Sequence, residues 1–362
     1  MKKDVAIIGL KGLPAFGGAA TVGEKTIEQL KDKYNFTVYS IDTHTNKSTG
    51  QYNGYEQIVL SSIKNKKLNT LWYYIKSAVH VMFSKYDLVH LYHGDAAFIL
   101  LLLRLKYKTI VTTHGAHNAG KSSKWKKYRL FFELQSKYLL KLSNIVTCVA
   151  KVEQKWLKDN CTVDAIYIPN GISLLNNTSN KVIEKKYELF YGAGRIMRSK
   201  GCDLLLKALN NINFTQNIAI AGDLTQSLEY KTEIEMLAEN LDVNFLGMIK
   251  DKNKLFNMIR SSKIFVYPTL YEAMSMMLLE VASLRIPMIC SDIQENKDVF
   301  SDDEVLFFSL TKSGDFEEKI LWALSNYETM LVKADNAYKK LNKEFLWKNI
   351  ALEYETQYKY LL

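Results

Sequence analysis

Cysteine is scarce. The 362-residue sequence holds four, Cys148, Cys161, Cys202 and Cys290, and their spacing matches no metal-ligand pattern. A disulfide framework and a cysteine zinc site are excluded, which favours a reducing cytoplasm. Long apolar runs are missing as well. The longest, Ala96 to Leu103, is too short to span a bilayer, so an integral membrane protein is excluded. Met1-Lys2-Lys3 precedes an apolar segment, but that segment breaks at Lys11 with no small-residue cleavage site. A first buried strand accounts for it better than a signal peptide does. Short-period repeats and low-complexity tracts are absent. The Gly-x-Gly-x-x-Gly fingerprint is absent too, and no acidic residue closes the second predicted strand at Ser40. Both absences count against a nicotinamide-dependent dehydrogenase.

Positive charge is in excess. The net charge is +10 and the pI about 9.1, which suits an anionic membrane surface, phosphates or nucleic acid. No nucleic-acid module is recognisable, and the basic residues belong to no single recognition motif, so no nucleic-acid partner is expected. The length suits two domains, each with its own core.

Short β-branched runs alternate with amphipathic ones. In the first half they predict strands at 5–9, 37–40, 57–60, 88–91, 109–113, 145–149 and 165–168. Helices are predicted at 20–33, 68–83, 96–103, 124–142 and 152–159. The second half repeats the logic, with strands at 189–193, 218–221, 243–246, 264–267, 288–291 and 305–308. Its helices are predicted at 201–210, 227–240, 252–260, 275–283 and 316–325. Such alternation indicates parallel sheets covered on both faces. The polar stretch 174–181 reads as a linker. The expected architecture is two doubly wound α/β domains, 1–172 and 173–344, facing each other across a cleft. A final helix over 345–362 is expected to cross back to the first. Ligands in such sheets bind at the carboxyl ends of strands.

Several residues at predicted strand ends can do chemistry. Gly9 to Gly18 forms a glycine-rich turn before a helix, where backbone N–H groups can approach an anion. His114 ends a predicted strand; His90, His93 and Asp95 end another. His80 sits in an apolar helix as packing. Arg195 and Lys200 follow a strand and precede a helix, so they suit a diphosphate, with a solvated basic loop as the plain alternative. Glu272 and Glu280 flank the apolar Ala273–Leu279, and a helix is predicted from Ser275. A carboxylate among apolar residues needs donors, and sugar or ribose hydroxyls qualify; a capping role is the alternative.

These residues resemble the family 4 glycosyltransferases, retaining enzymes of the GT-B fold. The most specific piece is Glu272, seven residues, then Glu280, followed by Val281-Ala282-Ser283 and Ile286-Pro287. Gly194-Arg195 with Lys200-Gly201, Pro169-Asn170-Gly171 and Ala221-Gly222-Asp223 also match. The opening Ile7–Pro14 with Gly17-Gly18 is similar to a bacterial subgroup that builds surface polysaccharides. The resemblance implies that Glu280 binds the ribose and Glu272 the donor sugar. It implies that Arg195 and Lys200 hold the diphosphate, assisted by N–H groups around Ser275, Met276 and Met277. Gly17, Gly18 and Gly194 lie near the donor, and His114 near the sugar. The reaction it implies needs no metal and no cofactor.

The sequence departs from the family at Ala273–Met276 and at Ala19-Ala20-Thr21, which bear on sugar and acceptor choice. The expected partners are a nucleotide-diphosphate sugar and a glycan or lipid-linked acceptor. The basic, aromatic segment Lys121–Lys141, with Lys64, Lys66, Lys67, Trp72, Tyr73 and Tyr74, is expected to touch anionic lipid on the inner face of the cytoplasmic membrane. A sugar-nucleotide 2-epimerase of the same fold is the rival reading.

Overall fold

The computed structural model describes residues 1–15, 17–65, 68–118, 129–174 and 184–362. Two compact units divide the chain: Met1–Gly171 with Trp347–Leu362, and Ile172–Leu346.

The first unit begins with β1 (Lys3–Lys11), α1 (Gly18–Leu30), β2 (Tyr34–Ile41), β3 (Gly50–Tyr52), β4 (Tyr55–Leu60) and α2 (Asn69–Met82). It continues with β5 (Leu88–Leu91), α3 (Leu100–Leu103), β6 (Lys108–Thr113), α4 (Arg129–Leu134), β7 (Ile145–Cys148), α5 (Lys151–Cys161) and β8 (Ile166–Tyr167). Its eight strands run in the order β3-β4-β2-β1-β5-β6-β7-β8. All pairs are parallel except the edge hairpin β3–β4. Central β1 buries Val5, Ala6, Ile7 and Ile8 completely, as a strand covered on both faces must. Ala6 and Ile8 join the inner faces of α2, α3 and α5 in one core.

The second unit holds β9 (Tyr187–Arg195), α6 (Cys202–Asn211), β10 (Ile218–Asp223), α7 (Leu228–Ala238), β11 (Val243–Gly247) and α8 (Lys252–Arg260). Then come β12 (Ser262–Tyr267), α9 (Met276–Ser283), β13 (Met288–Ser291), α10 (Gln294–Lys297), β14 (Leu306–Phe308), α11 (Asp315–Ser325) and α12 (Tyr327–Glu344). Its six strands are all parallel, in the order β11-β10-β9-β12-β13-β14. The last helix, α13 (Trp347–Leu361), belongs to the first unit and packs on α1. Tyr358 of α13 hydrogen-bonds His90 Nδ1 at 2.8 Å, and Glu355 pairs with Lys33 at 2.6 Å.

Three expectations need correction. The helix predicted at 124–142 is not one helix in its described part. α4 gives way to a π turn at Gln135–Leu139 and a 3-10 turn at Leu140–Leu142. The widened turn carries Gln135 inward, where its side chain accepts from Phe98 N–H (3.0 Å) and donates to the Asp95 carbonyl (2.9 Å). The helix predicted at 96–103 is a 3-10 segment, Gly94–Ile99, followed by the single turn α3. Tyr73 and Tyr74 face the core, not a membrane; the Tyr73 hydroxyl accepts from Gly9 N–H and donates to the Tyr39 carbonyl, each at 2.8 Å. Lys66, Lys67 and residues 121–128 of the expected membrane surface lie outside the described residues.

Candidate active site

In the second sheet β9 and β12 are parallel neighbours. The connections from β9 lead outward one way to β10, and those from β12 lead the other way to β13. This is the point where a doubly wound sheet opens a crevice at its carboxyl ends. β9 ends at Arg195 and β12 at Tyr267.

Backbone contacts bind the loops after these two strands together. Leu270 N–H donates to the Ser199 carbonyl at 2.9 Å, and Thr269 Oγ1 donates to it at 3.1 Å. Gly201 has a φ of 69°, and a Cβ there would fall 1.9 Å from the Pro268 carbonyl oxygen. Only glycine fits so close an approach. The consequence is a direct contact: the Lys200 ammonium donates to Glu272 Oε1. The Tyr267 hydroxyl donates to the same oxygen. The Lys200 side chain is 26 % exposed and that of Glu272 14 %, so this is a partly buried pair open on one side. Burial, then the Glu272 charge, raises the Tyr267 pKa well above its ordinary value, so the phenol stays a donor.

Ser275 caps α9 and opens its first turn at Met276 and Met277, which carries no acidic residue. Amides of a first turn lack helical partners and lend the terminus partial positive charge. Glu280, one turn on, is buried at 6 % exposure. Lys252, the first residue of α8, meets its Oε1 at 2.8 Å. Arg195 is exposed and lies in register with Asp223. The Asp223 carboxyl is held below its usual range, first by Thr225 and in lesser part by Arg195. A Cβ on Gly194 would meet nothing within 4 Å, so the backbone beside Arg195 is open.

The remaining candidates sit in the first unit. Gly17, at φ 117°, precedes α1 with open space around it, and Gly18 starts the helix. His114 follows β6. It stacks near Tyr92 with ring centroids 6.5 Å apart, and His93 lies 5.7 Å away. Its Nε2 is buried with no hydrogen-bond partner among the described residues. Burial first, then His93 and His90, pushes its pKa well below the ordinary histidine value. His90 is packing: Thr112 and Tyr358 take its two nitrogens at 2.7 and 2.8 Å, and burial pushes its pKa down to about 3. His80 also serves packing, through the Tyr39 hydroxyl at 3.0 Å.

Comparison with known proteins matches both units. The model described as "Glycosyltransferase Family 4" matches residues 16–174, and that described as "Glycosyl transferases group 1" matches 176–340. The chain is a glycosyltransferase of the family 4 kind. An uncharacterised glycosyltransferase of Methanocaldococcus jannaschii is 26% identical over 94% of this chain and 93% of its own length. An Escherichia coli UDP-Gal:alpha-D-GlcNAc-diphosphoundecaprenol alpha-1,3-galactosyltransferase is 24% identical over 59% of each chain. Among solved structures, sucrose-phosphate synthase from Thermosynechococcus elongatus has a TM-score of 0.84 at 19% identity, covering 99% of both chains. Anabaena HepE in complex with UDP-glucose has 0.76 at 13%, also covering 99% of both. These likenesses give the fold, two Rossmann-like α/β domains of the GT-B kind.

In this glycosyltransferase the geometry joins Lys200 to Glu272, pairs Glu280 with Lys252 and leaves Arg195 exposed in register with Asp223. Sequence reasoning missed Lys252. An acid at 280 in an apolar helix demands a cation, yet only the three-dimensional packing of α8 says which. It also missed Glu153. That fully buried carboxylate accepts from Gly115 N–H at 3.0 Å and Ala116 N–H at 2.6 Å, fixing the turn that carries His114.

Proposed function

We propose that this glycosyltransferase moves a hexosyl or deoxyhexosyl group, with retention, from a nucleotide-diphosphate sugar to a glycan or lipid-linked acceptor in bacterial surface-polysaccharide synthesis. The observation that carries this reading is the Lys200–Glu272 contact at the switch point of the second sheet. It sets a cation for phosphate beside a carboxylate for sugar hydroxyls. Arg195 and Lys200 hold the diphosphate. The N–H groups at Met276 and Met277 complement its charge as it leaves. Glu280, held by Lys252, takes the ribose hydroxyls. His114, kept neutral by burial, offers its unpartnered Nε2 to the sugar.

Fixed cations neutralise the leaving group without a metal or a cofactor. The acceptor hydroxyl attacks on the face that the diphosphate leaves, and the departing phosphate takes its proton. Nucleotide-sugar use is supported by the UDP-glucose bound to the Anabaena neighbour, and a lipid-linked acceptor by the name of the E. coli relative.

Membrane contact has a physical basis in α2. Leu71, Trp72, Ile75 and Val79 recur at helical spacing and are 37–44 % exposed. Lys64 precedes them and Lys76 lies among them, which suits an anionic surface. None of the helices among the described residues is long and apolar enough to cross a membrane. We place the protein peripherally on the cytoplasmic face.

The test is turnover over a panel of sugar nucleotides. Arg195→Ala and Lys200→Ala should each lower kcat roughly 10²–10³-fold, because their contacts strengthen in the transition state. Near-normal turnover in both variants refutes this placement of charge. Epimerised donor in the absence of acceptor would favour the 2-epimerase instead.

A further inference from the structure

We propose that the carboxyl ends of β1, β2 and β5 in the first unit form a second anion site, built on Lys11, that takes the phosphate or diphosphate of the acceptor. The proposal rests on the glycosyl-transfer reading and names the acceptor's chemistry.

Lys11 is the last residue of β1, at the point where the first sheet reverses its strand order between β1 and β5. Its backbone has a φ of 63°, a left-handed conformation that non-glycine residues rarely adopt and that concentrates at functional sites. The pairing of β1 with β2 slips between Ile7 and Lys11. Such irregularities turn a side chain away from its regular direction. The side chain is partly buried, and among the described residues its ammonium has no hydrogen-bond or ion-pair partner. A cation taken out of water without a partner is costly, and a bound anion removes that cost.

The surroundings are built and rigid. Leu13 N–H donates to Gln57 at 3.3 Å, and Thr45 Oγ1 donates to the Leu13 carbonyl at 2.8 Å. A Cβ on Gly12 would lie 2.3 Å from the His44 carbonyl oxygen, so the β1 loop lies directly on the 3-10 turn Asp42–His44 that follows β2. Along this loop Gly12, Pro14, Thr43, His44 and Asn46 help to line a cavity of about 490 Å³, of which Lys11 itself is not a lining residue. Burial and then the Lys11 charge lower the pKa of His44; burial lowers that of His93, which Asp95 raises and Lys11 lowers in lesser part. The pKa of Lys11 itself is lowered by burial and raised only by Asp95. Asp95, the carboxylate that acts on it, is itself exposed.

Two sources share this chemistry: a lipid diphosphate and a soluble sugar phosphate. The experiment is calorimetry on the full chain saturated with UDP. Inorganic pyrophosphate should bind the wild-type complex. Lys11→Met should weaken that binding at least about tenfold, and Lys11→Arg should nearly restore it. Both variants should bind UDP as the wild type does, which also shows that they fold. Farnesyl diphosphate in detergent binding where glucose 1-phosphate does not assigns the lipid source; the reverse assigns the soluble one. Pyrophosphate binding equally to wild type and Lys11→Met, or failing to bind the wild type, overturns the proposal. Loss of UDP binding in Arg195→Ala tests the donor reading separately. If UDP itself does not bind, the donor reading falls, and pyrophosphate titration of the ligand-free protein still decides the role of Lys11.

Discussion

Replacing Gly201 with alanine should separate the two loops that meet at Lys200 and Glu272. The left-handed backbone at φ 69° costs a non-glycine residue roughly 1–2 kcal/mol. The added methyl would also lie 1.9 Å from the Pro268 carbonyl oxygen. Backbone cannot swing away like a side-chain tip, so one loop must shift, at a further cost of about 1–3 kcal/mol. The sum, about 2–5 kcal/mol, should lower the Tm of the second unit by roughly 5–15 °C. The shift also moves Pro268 and the Leu270–Ser199 hydrogen bond behind it, so the Lys200–Glu272 contact opens and UDP binds more weakly. Scanning calorimetry and UDP titration read both effects. Gly194→Ala is the control, since its Cβ meets nothing within 4 Å; it should leave Tm unchanged. A Gly201→Ala protein as stable as the wild type, with equal UDP affinity, refutes the reasoning.

Other outcomes follow from the same geometry. An exposed histidine titrates near ~6.5, whereas burial holds His90 neutral down to about 3. The unfolded chain therefore takes up this proton first as pH falls, and stability is lost progressively from about pH 6.5 towards 3, by at most ~1.4 kcal/mol per pH unit. His90→Gln keeps partners for Thr112 and Tyr358 without titrating, so its Tm should fall less between pH 7.5 and 5.5; an unchanged pH dependence contradicts the assignment. A chelator such as EDTA should leave sugar transfer unaltered, and a loss restored by added Mg²⁺ would overturn the metal-independent mechanism. Leu71→Glu with Ile75→Glu should reduce sedimentation with anionic vesicles while sparing UDP binding; no preference for anionic over neutral vesicles in the wild type removes the membrane surface.

The parallel strands were the most legible feature, because a strand buried on both faces is a continuous apolar run. Leu88–Leu91 and Met288–Ser291 match their predicted limits. Helix α12 went unread. Its buried positions are Met330, Ala334, Ala337 and Leu341, and two alanines in four make a faint stripe. Strand β3 has three residues and pairs only with its own hairpin partner. The hydrophobic pattern of α2 was visible, but not its direction, so Tyr73 and Tyr74 read as surface residues. In the site, Lys200 and Glu272 were readable as strand-end residues, each on its own loop. Their contact was not, since it depends on β9 and β12 being neighbours and on the approach of Gly201 to Pro268. Lys252 and Glu153 carry no local signal at all. Each is defined by a partner 28 or 38 residues away.

The central claim is that the second unit grips a nucleotide diphosphate. A crystal of the full chain grown with UDP-glucose tests it most directly. The account predicts the diphosphate against Arg195 and Lys200, the ribose hydroxyls on Glu280, and Lys200 turned from Glu272 towards phosphate. A nucleotide bound away from β9 and β12, with Lys200 and Glu272 still paired, would contradict it.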